Sequence, residues 1–136
     1  MPNKTWKDLE RKVAKMLGGN VQHPIYHIEC KWGKQIPKTV LKWHEWMKED
    51  KSIEIQLYEY DVPKTILNWY KKAKQQSEKK KTILIMKPKG IHEEFVFYEL
   101  IIDTETTVGH YYIFTTLKAF AEDHQKTIWK VGGENE

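Results

Sequence analysis

The chain has 136 residues, 40% hydrophobic, 31% charged and 12% aromatic, with only 7 Gly and 5 Pro. A chain of that size closes one core with little left for a second, and the composition excludes a disordered or fibrous protein. Its net charge is +4, Arg11 is the only arginine, and no apolar run approaches the roughly 18 residues of a membrane span.

The N-terminal "MPNKTWKDLERK" lacks the apolar centre of a secretory signal, so an intracellular location without a membrane is expected. The single cysteine, Cys30, has no partner within the chain for a disulfide, in keeping with a reducing compartment. From Thr5 to Leu17, the residues Trp6, Leu9, Val13, Met16 and Leu17 recur at helical spacing, with Thr5 as N-cap and Gly18-Gly19 as the stop. The segment "PIYHIECK" alternates as a strand, with Ile25, His27, Glu29 and Lys31 on one face and Tyr26, Ile28 and Cys30 on the other.

Helical spacing returns after Pro37 in "PKTVLKWHEWMKED". The strand "SIEIQLYEY" follows, with Ile53, Ile55 and Leu57 on one face. A second long helix is expected from Pro63 through "PKTILNWYKKAKQQSEKKK", then the strand "TILIMK" and the turn "PKG". "EFVFYELIID" and "HYYIFTT" read as two further strands, and Thr116 as the cap of a last helix, "LKAFAEDHQK". The similar starts "PKTVLKW" and "PKTILNW" need no duplication, because Pro opening a helix with Leu and Trp on one face produces the same pattern. Residues 1–131 are read as one α/β domain, a central mixed sheet flanked by helices, and 132–136 as a frayed tail.

Three features bear on chemistry. Between Lys71 and Lys89, eight lysines stand against one glutamate, a local field that attracts phosphate or simply solvates a helix and its exit. Glu10 interrupts the apolar series Trp6, Val13, Leu17, and a carboxylate turned toward a core needs a cation, a donor or a metal. Glu29 and Lys31, two apart on a strand, set a carboxylate beside a cation. That arrangement can hold Mg²⁺ against a phosphate while the lysine orients or helps deprotonate a water and offsets transition-state charge. A zinc site from His23, His27 and Cys30 is disfavoured, because His27 and Cys30 point to opposite faces.

A helix with Glu, two glycines, "NVQHP" and a strand ending Glu-x-Lys resembles the PD-(D/E)XK nuclease superfamily, and within it the archaeal-type and viral Holliday junction resolvases. The resemblance rests on "WKDLERKVAKMLGG", "NVQHP" and "IYHIECKWGKQIP", is looser from Pro63 to Gly90, and is only topological beyond. It implies a restriction-endonuclease-like fold and Mg²⁺- or Mn²⁺-dependent hydrolysis of phosphodiesters by a homodimer acting on branched or four-way-junction DNA. By resemblance, Glu10, Glu29 and Lys31 are catalytic, and Glu10, Asn20 and Glu29 bind metal.

Asn20 stands where the family has an essential aspartate, and an amide brings no negative charge. The loop before it is short, and residues 38–62 look inserted, with Asp61 as an alternative acid. A DNA-binding module of the same fold whose hydrolytic site has decayed is therefore the second reading. For either one, Arg11, Lys34, Lys71, Lys72, Lys74, Lys79, Lys80 and Lys81 are the expected phosphate contacts. The tryptophans Trp32, Trp43, Trp46 and Trp69, if exposed, would stack on unpaired bases, although the helical spacing of Trp43 and Trp46 fits core or dimer contacts better.

Overall fold

The structure, a computed structural model, describes residues 9, 11–13, 15 and 25–124. The helical residues 9, 11–13 and 15 form α1. They are followed by β1 (Tyr26–Gly33), α2 (Thr39–Asp50), β2 (Glu54–Leu57), a 3-10 turn (Glu59–Asp61), α3 (Lys64–Gln76), β3 (Lys81–Pro88), β4 (Phe95–Asp103) and β5 (Val108–Thr116). Helix α4 covers residues 117–124. Thr5, Glu10, Asn20 and the tail 132–136 lie outside the described residues.

The sheet is mixed, in the order β1-β3-β4-β5-β2. β1 and β3 run parallel and every other pair antiparallel. Everything between β1 and β3 belongs to their crossover, as a parallel pair requires. That crossover also lays β2 on the far edge, so the segment read as an insertion completes the sheet.

β3 is buried on both faces, as its unbroken apolar run "TILIM" demands. Leu84 and Met86 face α2 and α3, joined by Val40, Trp43, Ile66, Tyr70, Phe95, Phe97 and Phe114 in one core. Ile83 and Ile85 face the other way and pack with Leu9 and Val13 of α1, Ile28 and Cys30 of β1, and Leu117 and Phe120 of α4. Alternation along the strands therefore makes a three-layer α/β domain. The paired helix starts serve the same core, since Val40 and Ile66 are both fully buried.

Two expectations are corrected. α3 ends at Gln76 and not at Lys81, because Ser77 turns back on Lys74 through its N–H and its Oγ, and Glu78 then adopts φ 56°. The strand expected over "SIEIQLYEY" shrinks to Glu54–Leu57: the Tyr58 N–H donates to Asp61 Oδ2 at 3.0 Å and starts the 3-10 turn, while Ile53 stays 71% exposed. Trp43 lies edge-on to Phe114 inside the core, the place its helical spacing favoured. The cap at Thr116 stands as read, with its Oγ1 accepting from the Ala119 N–H at 3.2 Å.

Candidate functional site

β1 is an edge strand of the described sheet, and its two faces differ in kind. Ile28 and Cys30 are buried toward α1 and α4. Glu29 and Lys31 alternate to the opposite side, where the parallel register sets Glu29 beside Leu84 and Lys31 beside Met86. Both are partly open to solvent, with side chains 33% and 28% exposed, and Lys31 Nζ lies 3.8 Å from Glu29 Oε1. That distance is an ion pair without a hydrogen bond. The Lys31 ammonium also stands 5.5 Å from the centre of the Trp69 ring on α3, a cation–π contact that braces it from above.

His27 continues the same face one pleat earlier, beside Thr82. Its Nε2 and Thr82 Oγ1 are buried and have no hydrogen-bond partner among the described residues. Cys30 packs in the core on the other side of the strand, so His27 and Cys30 point away from each other, as expected from alternation. His23 lies outside the described residues.

Of the residues expected at the site, Glu29 and Lys31 are brought together, while Glu10 and Asn20 lie outside the described residues. Their described neighbours on α1, Leu9 and Val13, pack on the α4 side of the sheet, opposite the side that carries Glu29 and Lys31. Asp61 is held by the Tyr58 N–H just after β2, with three strands between β2 and β1 in the sheet. Among the described residues, no three His, Cys, Asp or Glu side chains gather around a common point.

The expected phosphate contacts divide by their partners. Lys71 pairs with Glu59 at 2.9 Å, and this hydrogen bond raises the lysine pKa and lowers the carboxylate's. Lys74 pairs with Glu99 at 2.6 Å. Lys81 stands 4.5 Å from the centre of the Tyr98 ring, where burial lowers its pKa and the charge of Asp123 opposes that shift. Arg11, Lys34, Lys72, Lys79 and Lys80 are exposed.

A cluster not read from the sequence surrounds Glu99. Its Oε1 accepts from Lys74 and its Oε2 lies 2.6 Å from His110 Nε2. The Glu99 backbone N–H donates to Tyr70 Oη, which in turn donates to the Thr82 carbonyl. Burial is the largest influence on Glu99 and raises its pKa, but the hydrogen bonds and charges of Lys74 and His110 together bring it below the ordinary value. The Tyr70 phenol is pushed up to about 12, chiefly by burial. The alternation of "FYELIID" against "HYYIF" was the one signal in the sequence, since it puts Glu99 opposite Tyr112 and one pleat from His110.

No protein-family model, curated protein or solved structure matches the chain. A carboxylate and an ammonium, side by side and half open to solvent, can together receive a phosphodiester and a hydrated divalent cation.

Proposed function

We propose that the chain is a metal-dependent, structure-selective DNA endonuclease of restriction-endonuclease-like fold, acting on branched DNA as a homodimer. One observation carries this reading: Glu29 and Lys31 lie together on the half-exposed face of β1, the strand that resembles the family's Glu-x-Lys strand. Support comes from β3, which resembles the family's next core strand and lies directly beside β1. Homodimerisation follows from the chemistry of a symmetric junction, because two cuts need two related sites and the sequence offers one set of candidates.

Mg²⁺ keeps several waters and needs only one or two carboxylates beside phosphate oxygens, so a half-open Glu29 fits as one such ligand. Glu10 and Asn20 are the further ligands that the resemblance implies. When bound, Mg²⁺ or Mn²⁺ supplies Lewis-acid polarisation of the phosphodiester and a more acidic water. The chain's own contribution is to hold and orient. Lys31, braced by Trp69, places positive charge where the pentavalent phosphorus gathers negative charge and orients the attacking water. Leu84 and Met86 form a fully buried apolar floor, which keeps both charged side chains directed outward.

A second reading, a DNA-binding module with a decayed site, is favoured by one residue. Asn20 offers a dipole where the resemblance places an aspartate, which weakens any cation held there. Cleavage of a labelled four-way junction with Mg²⁺ or Mn²⁺ separates the two, using the chain as written, Asn20→Asp, and Glu29→Gln in each background. The nuclease reading expects slow cleavage by the chain as written, a sharp rise with Asn20→Asp, and loss with Glu29→Gln. Tight junction binding with no cleavage by any variant would leave the binding module. Cleavage indifferent to Glu29→Gln would overturn the site.

A further inference from the structure

Outside the Glu29–Lys31 face, the described residues form a second concave feature at the carboxyl ends of the parallel pair β1 and β3. It is a cleft of about 670 Å³ with Trp32 and Gly33 on one wall, Lys87 to His92 on the other, and Leu9 and Lys12 of α1 above. Carboxyl ends of parallel strands are where open α/β sheets most often receive ligands, because the loops there diverge around a gap.

The lining is specific in its chemistry. Trp32 pairs in register with Lys87, and both line the cleft, Trp32 on the face of β1 opposite Glu29 and Lys31. Trp32 packs against the core from one side and remains partly exposed on the other. Lys89 is exposed in the turn that follows. Gly33 and Gly90, at the two rims, hold φ of 84° and 82°, and a Cβ on either would meet nothing within 4 Å. They are glycines for the left-handed turn and not for want of room.

Lys12 is not available in the same way. It clamps both oxygens of the buried Glu94, at 2.7 and 3.1 Å, and so neutralises that carboxylate. No Asp or Glu is among the described lining residues, and Lys87 and Lys89 have no ion-pair partner among the described residues. An aromatic wall beside two cations with no described ion-pair partner suits a ligand that is flat and aromatic at one end and anionic at the other. Aliphatic chains would leave the lysines unanswered, and a bare phosphate would leave the ring uncovered.

We infer that this cleft receives one unpaired nucleotide of a DNA strand, its base stacked on Trp32 and its flanking phosphates on Lys87 and Lys89. The inference rests on the reading of the chain as DNA-binding, and is independent of whether the chain hydrolyses DNA. It gives structure selectivity a physical basis: a paired base cannot enter the cleft, whereas a base at a branch point or in a single strand can.

The test uses the full chain in EDTA and reads equilibrium binding by fluorescence anisotropy of a labelled oligothymidylate and of a blunt duplex. Trp32→Leu should weaken the single strand by roughly tenfold to a hundredfold and the duplex by less than about twofold, and Trp32→Phe should recover most of the loss. Lys87→Gln with Lys89→Gln should reduce single-strand affinity and flatten its salt dependence by about one to two phosphate contacts. Photo-crosslinking of a 5-iodouracil strand should map to Trp32. Equal weakening of both DNAs by Trp32→Leu, with no recovery by Trp32→Phe, would overturn the cleft as a base site. Full competition by thymidine 5′-monophosphate at strand-equivalent concentration would overturn the strand assignment. Strand binding untouched by all these substitutions would defeat this inference alone, whereas failure to bind either DNA at low salt would defeat the DNA reading beneath it.

Discussion

Two carboxylates, Glu29 and Glu99, flank α3 and have opposite circumstances. Glu99 is 13% exposed and is held at 2.6 Å by Lys74 and at 2.6 Å by His110. Its backbone joins the Tyr70 network as well. Glu29 is 33% exposed, and its described partner is Lys31 at 3.8 Å, too far for a hydrogen bond. One carboxylate has its lone pairs filled by the fold; the other has no hydrogen-bond partner for them among the described residues. A group whose interactions are already satisfied contributes stability and loses reactivity, while a half-open one contributes little to folding and can bind a ligand. On this difference Glu99 is committed to the fold, whereas Glu29 has the open carboxylate that the proposed nuclease site requires, although both sit beside a lysine.

The difference can be broken by exchanging the same atom at both sites. The largest effect is expected for Glu29→Gln on metal-dependent junction cleavage, measured in the Asn20→Asp background, where the rate should fall by roughly a hundredfold or more. Next comes Glu99→Gln, which should cost about 1–3 kcal/mol in urea unfolding because it removes charge-assisted hydrogen bonds at a mostly buried site. Cleavage per folded molecule should be unchanged in that variant.

Acid should expose the same contrast in milder form. The folded pKa of Glu99 lies below its ordinary value of 4.5, so its stabilisation is fully present above that value and is lost as pH falls through the lower folded value. The stability gap between the unmodified chain and Glu99→Gln should therefore hold above the ordinary value and shrink as pH falls below it toward the lower folded value. The smallest effect is expected for Glu29→Gln on unfolding, within about 0.5 kcal/mol, as for an exposed pair. A cost at Glu29 equal to that at Glu99 would make both residues structural.

Much of this architecture could be read along the chain. The alternation of Ile28, Glu29, Cys30 and Lys31 gave both faces of β1, and the run of Ile83 to Met86 marked a strand covered on two sides. Boundaries were less legible where local contacts compete with propensity, as at Ser77, whose hydroxyl ends a helix that lysines alone would have continued. Trp43 and Trp69 occupy the same place in two nearly identical helix starts, yet one is sealed in the core and the other braces Lys31. Only the packing of each helix distinguishes them. The Glu99 cluster and the cleft beside Trp32 were hidden for a simpler reason: they join residues from distant segments, and sheet order is set by pairings between strands that no local pattern encodes.

The claim that Glu29 keeps its carboxylate for a metal and a phosphodiester can be tested without any turnover. Mn²⁺ is titrated into isotope-labelled protein, and paramagnetic broadening of the side-chain carboxyl resonances of Glu29 and Glu99 is followed by NMR. The expected result is early broadening of Glu29 and of the amides around it on β1, abolished by Glu29→Gln, with Glu99 unaffected at the same Mn²⁺ concentration. Broadening that begins at Glu99, or that spreads evenly over the exposed carboxylates and leaves Glu29 undistinguished, would contradict the assignment of β1 as the functional edge of this sheet.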